Sequence, residues 1–302
     1  MIFDLIIIGA GPAGITAAVY AARKKMDLMV VTKDIGGQAA WSGDIENYTG
    51  YQFITGPDLA AKFEQHMRQF NISVKEGEEV IEEEKIDDLV YVKTNKDNYQ
   101  AKTLIIASGK RSRELNVPGE KEFKNKGLTY CATCDGPLFL GKEVAVIGGG
   151  NSALDAALQL LKIARHIYLI NNSPRLGGDA VMREKVETAK SVTVLNNTQV
   201  IEVLGKRMVE AIKIKGQYQE KTIPVEGVFV EIGLIPNSDF AQGVEKNQFG
   251  EIKVNCRNET NISGVFAAGD VTDVPEKQII IAAGEGAKAS LSAFRYLAYS
   301  KT

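Results

Sequence analysis

The chain has 302 residues, about twice the usual single-domain length of roughly 150 residues, so two buried cores are expected rather than one. A hydrophobic share of 44% with 25% charged residues is that of an ordinary globular protein and excludes a disordered or fibrous chain. The formal net charge of -2 supplies no cationic field for a phosphate backbone, which excludes nucleic acid as a partner.

The first long apolar stretch, Leu5 to Ala22, carries no charge and has the length of a membrane span or a secretory signal. Its grammar is different. Asp4 precedes it instead of Lys or Arg, and Gly9, Gly11, Pro12 and Gly14 interrupt it, which predicts strand, turn and helix. No membrane association is expected, and without an export signal the chain is expected in the cytoplasm, where thiols are held reduced and structural disulfides are rare.

The same unit is written twice. DLIIIGAGPAGITAAVYAARKKMDLMVVTK from Asp4 and EVAVIGGGNSALDAALQLLKIARHIYLINN from Glu143 each read as buried strand, glycine turn, amphipathic helix and second strand. An offset of 139 residues takes Gly9 to Gly148, Gly11 to Gly150, Gly14 to Ala153 and Thr32 to Asn171 without a gap. One G-x-G-x-x-G is weak evidence, but two ungapped copies between strand and helix are strong, because that context confirms a dinucleotide fingerprint. The first glycine makes the turn, the second admits a diphosphate, and the third position must be small for helix and strand to pack. Pro12 suits a first helical turn, where its missing N–H costs nothing. Both copies are expected to bind dinucleotides, which gives an α/β protein with two Rossmann-like domains.

Between the copies lies a β-rich stretch from Val74 to Thr94, followed by the apolar strand Thr103 to Gly109. The glutamate run EGEEVIEEEK reads as a solvated strand face. After the second copy, strands around Val192 to Val203 and Val225 to Gly233 are expected, and the chain closes with GVFAAGD and a helical pattern from Ile279 to Tyr299.

Cys131 and Cys134 stand in TYCATCDGPLFLGK, just before the second copy. A zinc site wants four ligands, and besides the pair the chain has only Cys256, His66 and His166, which form no ligand-like cluster. Coincidental burial of two thiols is the bland alternative. The C-x-x-C spacing favours redox chemistry, since it closes a small ring and depresses the pKa of one thiol. Cys256 has no partner in sequence and reads as inert. Neither histidine is near the pair, so Asp135 is the local candidate for proton transfer, against a plain role as cap or turn residue before Gly136 and Pro137.

GAGPAG, GGQ, IENYTG, YCATCDGPL, GGGNSA and GVFAAGD followed by KQIIIAAGEGA resemble the low-molecular-weight thioredoxin reductases. The likeness is closer still to the C-terminal reductase portion of the flavoprotein subunit of alkyl hydroperoxide reductase, and it runs from Ile2 to Tyr299. It implies that residues 1–113 and 242–302 form an FAD domain, into which an NAD(P) domain of residues 114–241 is inserted. By the same resemblance Gly9, Gly11, Pro12 and Gly14 meet the FAD diphosphate, and Gly37 and Gln38 lie along the cofactor. Asn47 approaches the ring, Gly269 and Asp270 bind the ribityl or diphosphate region, and Gln278 takes the pyrimidine end. Gly148, Gly150, Asn151, Ser152 and Ala153 hold the nicotinamide nucleotide. The resemblance gives Cys134 to the flavin and Cys131 to the substrate disulfide. It further implies a rotation of the nucleotide domain about linkers near Arg113 to Glu114 and Asp239 to Gln242, and a homodimer.

Two departures matter. NADPH-using relatives carry H-R-R-x-x-x-R after the second strand of the nucleotide domain, whereas this chain reads NNSPRLG from Asn171 to Gly177. Each charge-assisted hydrogen bond to a 2'-phosphate contributes roughly 1.5 to 3 kcal/mol, so NADH is expected over NADPH, with Asn171 on the ribose hydroxyl. Arg175 or Arg183 reaching a phosphate from another angle is the counter-reading, and a ferredoxin donor or a flavin-dependent dithiol or NADH oxidase are the rivals. The chain also begins at the FAD strand, without the thioredoxin-like module of the hydroperoxide-reductase flavoprotein. Its expected acceptor is therefore a separate thioredoxin- or glutaredoxin-like disulfide protein, within or outside a peroxiredoxin system.

Overall fold

The computed structural model describes residues 1–42, 44, 45, 47–216 and 219–299, with the side chains of Asp44, Thr133 and Cys134 outside that description. Two compact units emerge, one formed by Met1–Arg111 with the chain from Ile235 onward, the other by Ser112–Leu234.

In the first unit the apolar run Leu5 to Ile8 becomes the central part of a strand, Ile2–Ala10. It lies between Leu28–Ile35 and Asn98–Ile106 in parallel register, with Ile6 opposite both Met29 and Leu104. Ser73–Glu76 extends the parallel sheet on one side, and Val265–Ala267 pairs with the end of Asn98–Ile106 on the other. An antiparallel hairpin, Val80–Ile86 with Leu89–Thr94, completes a seven-stranded sheet among the described residues. Both faces are covered: Leu5, Ile7, Val30, Ile105 and Phe266 face one apolar cluster, and Ile6, Ile8, Val31, Leu104 and Ile106 face another. Coverage on both sides is why the strand reads as a continuous apolar run rather than an alternating one.

The helices Pro12–Arg23 and Ile279–Tyr299 pack against each other over the first cluster. They approach until backbone meets backbone, since a Cβ at Gly286 would lie 2.0 Å from the Ala13 carbonyl oxygen. No helix among the described residues is long and apolar enough to cross a membrane.

The second unit repeats the plan. Glu143–Ile147 is central in a five-stranded parallel sheet with Gly227–Val230, Leu128–Thr129, His166–Ile170 and Val192–Leu195. A three-stranded antiparallel sheet, Gln199–Gly205, Val209–Lys215 and Glu220–Pro224, is added after it.

The chain leaves the first unit after Arg111 and rejoins it at Ile235. On the rejoining side, Arg111 donates to Asn237 Oδ1 at 3.0 Å and to Asp239 Oδ2 at 2.9 Å, while Asn237 Nδ2 donates to the Ser108 carbonyl at 2.9 Å. These bonds tie residues 237–239 to the first unit.

The glutamate run is not wholly a solvated face. Glu78 and Glu83 are buried, at 8% and 1% exposure. The pairing slips between Val80 and Glu82, and beyond that irregularity Glu83 sits opposite Val92 and points inward. Burial pushes its carboxyl up to about 7, against the pull of Lys246 and with a further push from Glu84. Glu78 keeps partners, accepting from the Thr94 and Tyr99 hydroxyls at 3.0 Å.

A Cβ at Gly14 would lie 1.9 Å from the Gly9 carbonyl oxygen. Gly14→Val therefore has to push the first helix off its strand, an expected loss of about 2 to 4 kcal/mol in urea unfolding. A loss below about 0.5 kcal/mol, the scale of a neutral surface change, would contradict the close packing.

Candidate functional site

At the carboxyl edge of the first sheet, Gly9 turns the chain with φ of +99°, and a Cβ there would meet the Ala107 carbonyl oxygen at 2.4 Å. Pro12 lies in the first turn of the following helix, whose N-cap Gly11 provides no side-chain cap. Open space surrounds Gly11, with nothing within 4 Å of a Cβ built on it. Free N–H groups, a helix N-terminus and an open glycine form the cradle that a diphosphate requires. Across it lies Gly37, where a Cβ would approach Gly11 Cα to 3.3 Å.

The other residues expected at FAD converge in the same unit. Gln38 Nε2 donates to the Lys110 carbonyl at 2.9 Å, and Asn47 Nδ2 donates to Gln278 Oε1 at 3.0 Å, which joins residues 231 apart in sequence. Gly269 N donates to Glu285 at 2.8 Å. Next to it, burial raises the Asp270 carboxyl, opposed by Lys277 and Lys110. These features fit FAD: an open cradle at Gly11, and Asn47 with Gln278 paired at the start of the last helix. Sequence reasoning missed the charges around Asp270. Lys110 and Lys277 both reach Glu251 Oε1, at 2.8 and 3.3 Å, and no periodicity or motif marks them. Burial raises Glu251, but hydrogen bonds from Lys110 and Asn247 and the charge of Lys277 prevail and hold it at about 2.

The second cradle is a variant of the first. Gly148 turns with φ of +141°, and open space again surrounds the N-cap glycine, here Gly150. Ala153 fills the position of Gly14, and a Cβ on Gly148 would sit 2.9 Å from its methyl. Ser152 is exposed in the first helical turn. Asn151 Oδ1 accepts from the Asp179 N–H at 2.8 Å. Asn171 is buried, with 2% exposure, beneath the turn. Its Oδ1 accepts from Ser173 N at 3.2 Å, and its Nδ2 donates to the Ser173 carbonyl at 3.1 Å and to Asn196 Oδ1 at 2.8 Å. Thr32, its counterpart in the first copy, likewise supports its turn by accepting from Ala10 N at 3.1 Å. Both side chains hold their own loops. Arg175 is exposed, and Arg183 donates to the Leu176 carbonyl at 3.4 Å.

Cys131 is disulfide-bonded, whereas Cys256 is free and exposed. The Cys134 side chain lies outside the described residues. Asp135 N donates to the Cys131 carbonyl at 3.2 Å within the helical turn Ala132–Asp135. Asp135 does not use its side chain as a cap for the 3-10 turn Gly136–Phe139; its carboxylate accepts a short hydrogen bond from the Thr129 hydroxyl. The same hydroxyl oxygen accepts from Cys131 N at 3.1 Å, so Thr129 bridges the two. Nearby, burial raises the Glu231 carboxyl to about 7, with the Ala132 backbone pulling it down and Asp155 pushing it up. Thr129 and Glu231 were also missed, since Thr129 lies in a short strand and Glu231 directly follows one, both among apolar residues that read as plain core.

The family model of the pyridine nucleotide-disulphide oxidoreductases matches residues 3–286. The chain belongs to this family. It is 43% identical over 298 residues to the NADH dehydrogenase of Bacillus subtilis, covering 98% of this chain and 58% of that protein. To one subunit of the alkyl hydroperoxide reductase of Pseudomonas aeruginosa it is 44% identical over 303 residues, covering 98% and 58%. Among solved structures, Lactococcus lactis thioredoxin reductase superposes with a TM-score of 0.85 at 31% identity, covering 98% of this chain and 99% of that one. The α/β fold with two Rossmann-type domains is thus the fold of the low-molecular-weight thioredoxin reductases. The chain spans less than two thirds of the length of the curated relatives it matches.

Glu251 gives a pH test. Its value of about 2 lies below the ordinary 4.5, so its stabilisation is complete above about 4.5 and is lost as pH falls towards about 2. Glu251→Gln should destabilise most at neutral pH, with the gap to the parent closing as acid is added in urea unfolding. A gap that stays constant with pH would contradict the lysine pairing.

Proposed function

We propose that the chain is an FAD-dependent disulfide oxidoreductase that passes electrons from NADH through FAD to the Cys131–Cys134 disulfide, and from there to a protein disulfide. The observation that carries the reading is the disulfide-bonded Cys131, one helical turn from Asp135, in the unit that holds the second nucleotide cradle. FAD, when bound, supplies the two-electron link between nicotinamide and disulfide.

The chain's own residues do the rest. The Gly9–Gly14 turn and the Pro12–Arg23 helix hold the FAD diphosphate, and Gly148, Gly150, Asn151, Ser152 and Ala153 hold that of the nucleotide. Asn47 and Gln278, already bonded to each other, orient towards the flavin ring, and Asp270 with Lys110 and Lys277 sets the charge at the ribityl end. Cys134 would be the sulfur that faces the flavin when FAD is bound. Cys131 attacks the partner disulfide as a thiolate, forming a mixed disulfide that Cys134 resolves. Asp135, held by Thr129, returns the proton to the leaving thiolate.

NADH is the donor favoured by NNSPRLG, which lacks the arginine cluster for a 2'-phosphate, and by the relative named NADH dehydrogenase. With its amide committed to Ser173 and Asn196, Asn171 supports the ribose-binding loop, and its remaining Oδ1 acceptor capacity is what it offers a hydroxyl. The acceptor is a thioredoxin- or glutaredoxin-like protein disulfide, of the peroxiredoxin system by analogy with the alkyl hydroperoxide reductase relatives. A cytoplasmic homodimer is the working form.

Stopped-flow reduction of the flavin tests the donor. NADH should outperform NADPH in kcat/KM by about tenfold or more, the scale of one lost charge-assisted hydrogen bond. Cys131→Ser should leave flavin reduction by NADH intact and reduce protein-disulfide turnover to the uncatalysed background. Preference for NADPH, or disulfide turnover that survives Cys131→Ser, would contradict the proposal.

A further inference from the structure

Asp270 is the acidic residue expected at FAD, and the turn that carries it is clamped by a buried carboxylate that the relay above does not use. Gly269 opens the turn with φ of +76°. Thr272 closes it, donating to the Gly269 carbonyl from its N–H at 2.9 Å and from its hydroxyl at 2.8 Å. The Gly269 N–H donates to Glu285 Oε2 at 2.8 Å, and the Thr272 hydroxyl lies 3.5 Å from the same oxygen. One carboxylate oxygen thus meets both ends of the turn.

Helix packing places Glu285 there. It lies on Ile279–Tyr299 beside Gly286, whose missing Cβ lets that helix meet the Ala13 carbonyl. Gly269 closes on the same residue, since a Cβ there would lie 2.9 Å from the Ala13 methyl. Ala13 belongs to the first turn of Pro12–Arg23, so the Asp270 turn, the last helix and the first cradle converge on one alanine. Glu285 is 4% exposed. A carboxylate so buried is costly unless it accepts hydrogen bonds, and the turn supplies them.

The far side of the turn is held as well. Ile252 N donates to the Val271 carbonyl at 2.9 Å, and Lys277 Nζ donates to the Thr272 carbonyl. The carbonyls of Gly269, Val271 and Thr272 therefore all have donors, whereas the Asp270 carboxylate takes no hydrogen bond from the described residues. An open carboxylate in a fixed turn accepts hydroxyl groups and repels a diphosphate. Of the parts of FAD, the ribityl chain supplies such hydroxyls.

We propose that Glu285 is a positioning residue for FAD, clamping the Gly269–Thr272 turn so that the Asp270 carboxylate is held where a ribityl hydroxyl meets it. The inference rests on the reading of Asp270 as an FAD contact. Without the clamp the Gly269 N–H is buried and unpaired, and the turn relieves that cost by moving, taking Asp270 with it.

FAD release on dilution of the full holoprotein, followed by flavin fluorescence, gives the dissociation constant. Glu285→Met removes the acceptor at similar volume and should weaken FAD binding about tenfold or more. Glu285→Gln keeps an oxygen acceptor for the Gly269 N–H and should recover most of that loss. In an Asp270→Ala background, Glu285→Met should weaken binding by no more than about threefold further, because its effect passes through Asp270. Thr272→Val gives the same reading if Glu285→Met does not fold, with weaker binding alone and little further weakening beside Asp270→Ala. Equal losses with and without Asp270 would overturn the inference, as would equal losses in Glu285→Met and Glu285→Gln. If Asp270→Ala weakens FAD while Glu285→Met leaves it unchanged, the inference alone fails. If Asp270→Ala itself leaves FAD affinity unchanged, the reading of Asp270 and the inference fail together.

Discussion

The 1.9 Å that would separate a Gly14 side chain from the Gly9 carbonyl is the constraint on which the first unit depends. Because that space must stay empty, the helix Pro12–Arg23 begins directly above the end of its strand, with its free N–H groups at the carboxyl edge of the sheet. The same closeness lets the Ile279–Tyr299 helix cross at Gly286, and its first turn brings Gln278 to Asn47. Packing and ligand cradle are one feature here: what closes the core also opens the anion site. The second unit obtains the cradle with different geometry at its first glycine, which leaves room for the methyl of Ala153.

Chemistry is concentrated where parallel strands end. In the first unit the ends carry Lys110 and Asp270, joined by Glu251 and Lys277 in a network of alternating charge. In the second, Thr129 and Glu231 lie at the ends of the neighbouring strands Leu128–Thr129 and Gly227–Val230. Thr129 ties Cys131 to Asp135 through a single hydroxyl, and the Glu231 backbone lies against the nucleotide turn at Gly148. Carboxyl groups held near about 7 by burial, such as Glu231, exchange protons at neutral pH without a histidine.

Much of the architecture was legible in the sequence. The ungapped repeat located both cradles because glycine spacing is dictated by sterics, and the last helix runs over Ile279–Tyr299 as its periodicity indicated. The convergence of Asn47 with Gln278 was not written in any local pattern; it came only through resemblance, since it is a contact between distant segments. Glu83 was misread because charge runs normally face water, and the slip in pairing that turns it inward has no signature in composition. Asn171 was found by its position at the end of a strand, but the commitment of its amide to Ser173 and Asn196 depends on the loop's folded path. Thr129 and Glu231 escaped notice because strand residues beside apolar neighbours look like core until tertiary structure shows what they touch.

We infer that the flavin and the Cys131 disulfide form one electron path. It is tested most directly by counting thiols during anaerobic titration with NADH. With three cysteines and Cys256 already free, reactive thiols in the unfolded, quenched protein should rise from one to three per chain as NADH is consumed. Bleaching of the flavin with the thiol count fixed at one would contradict it.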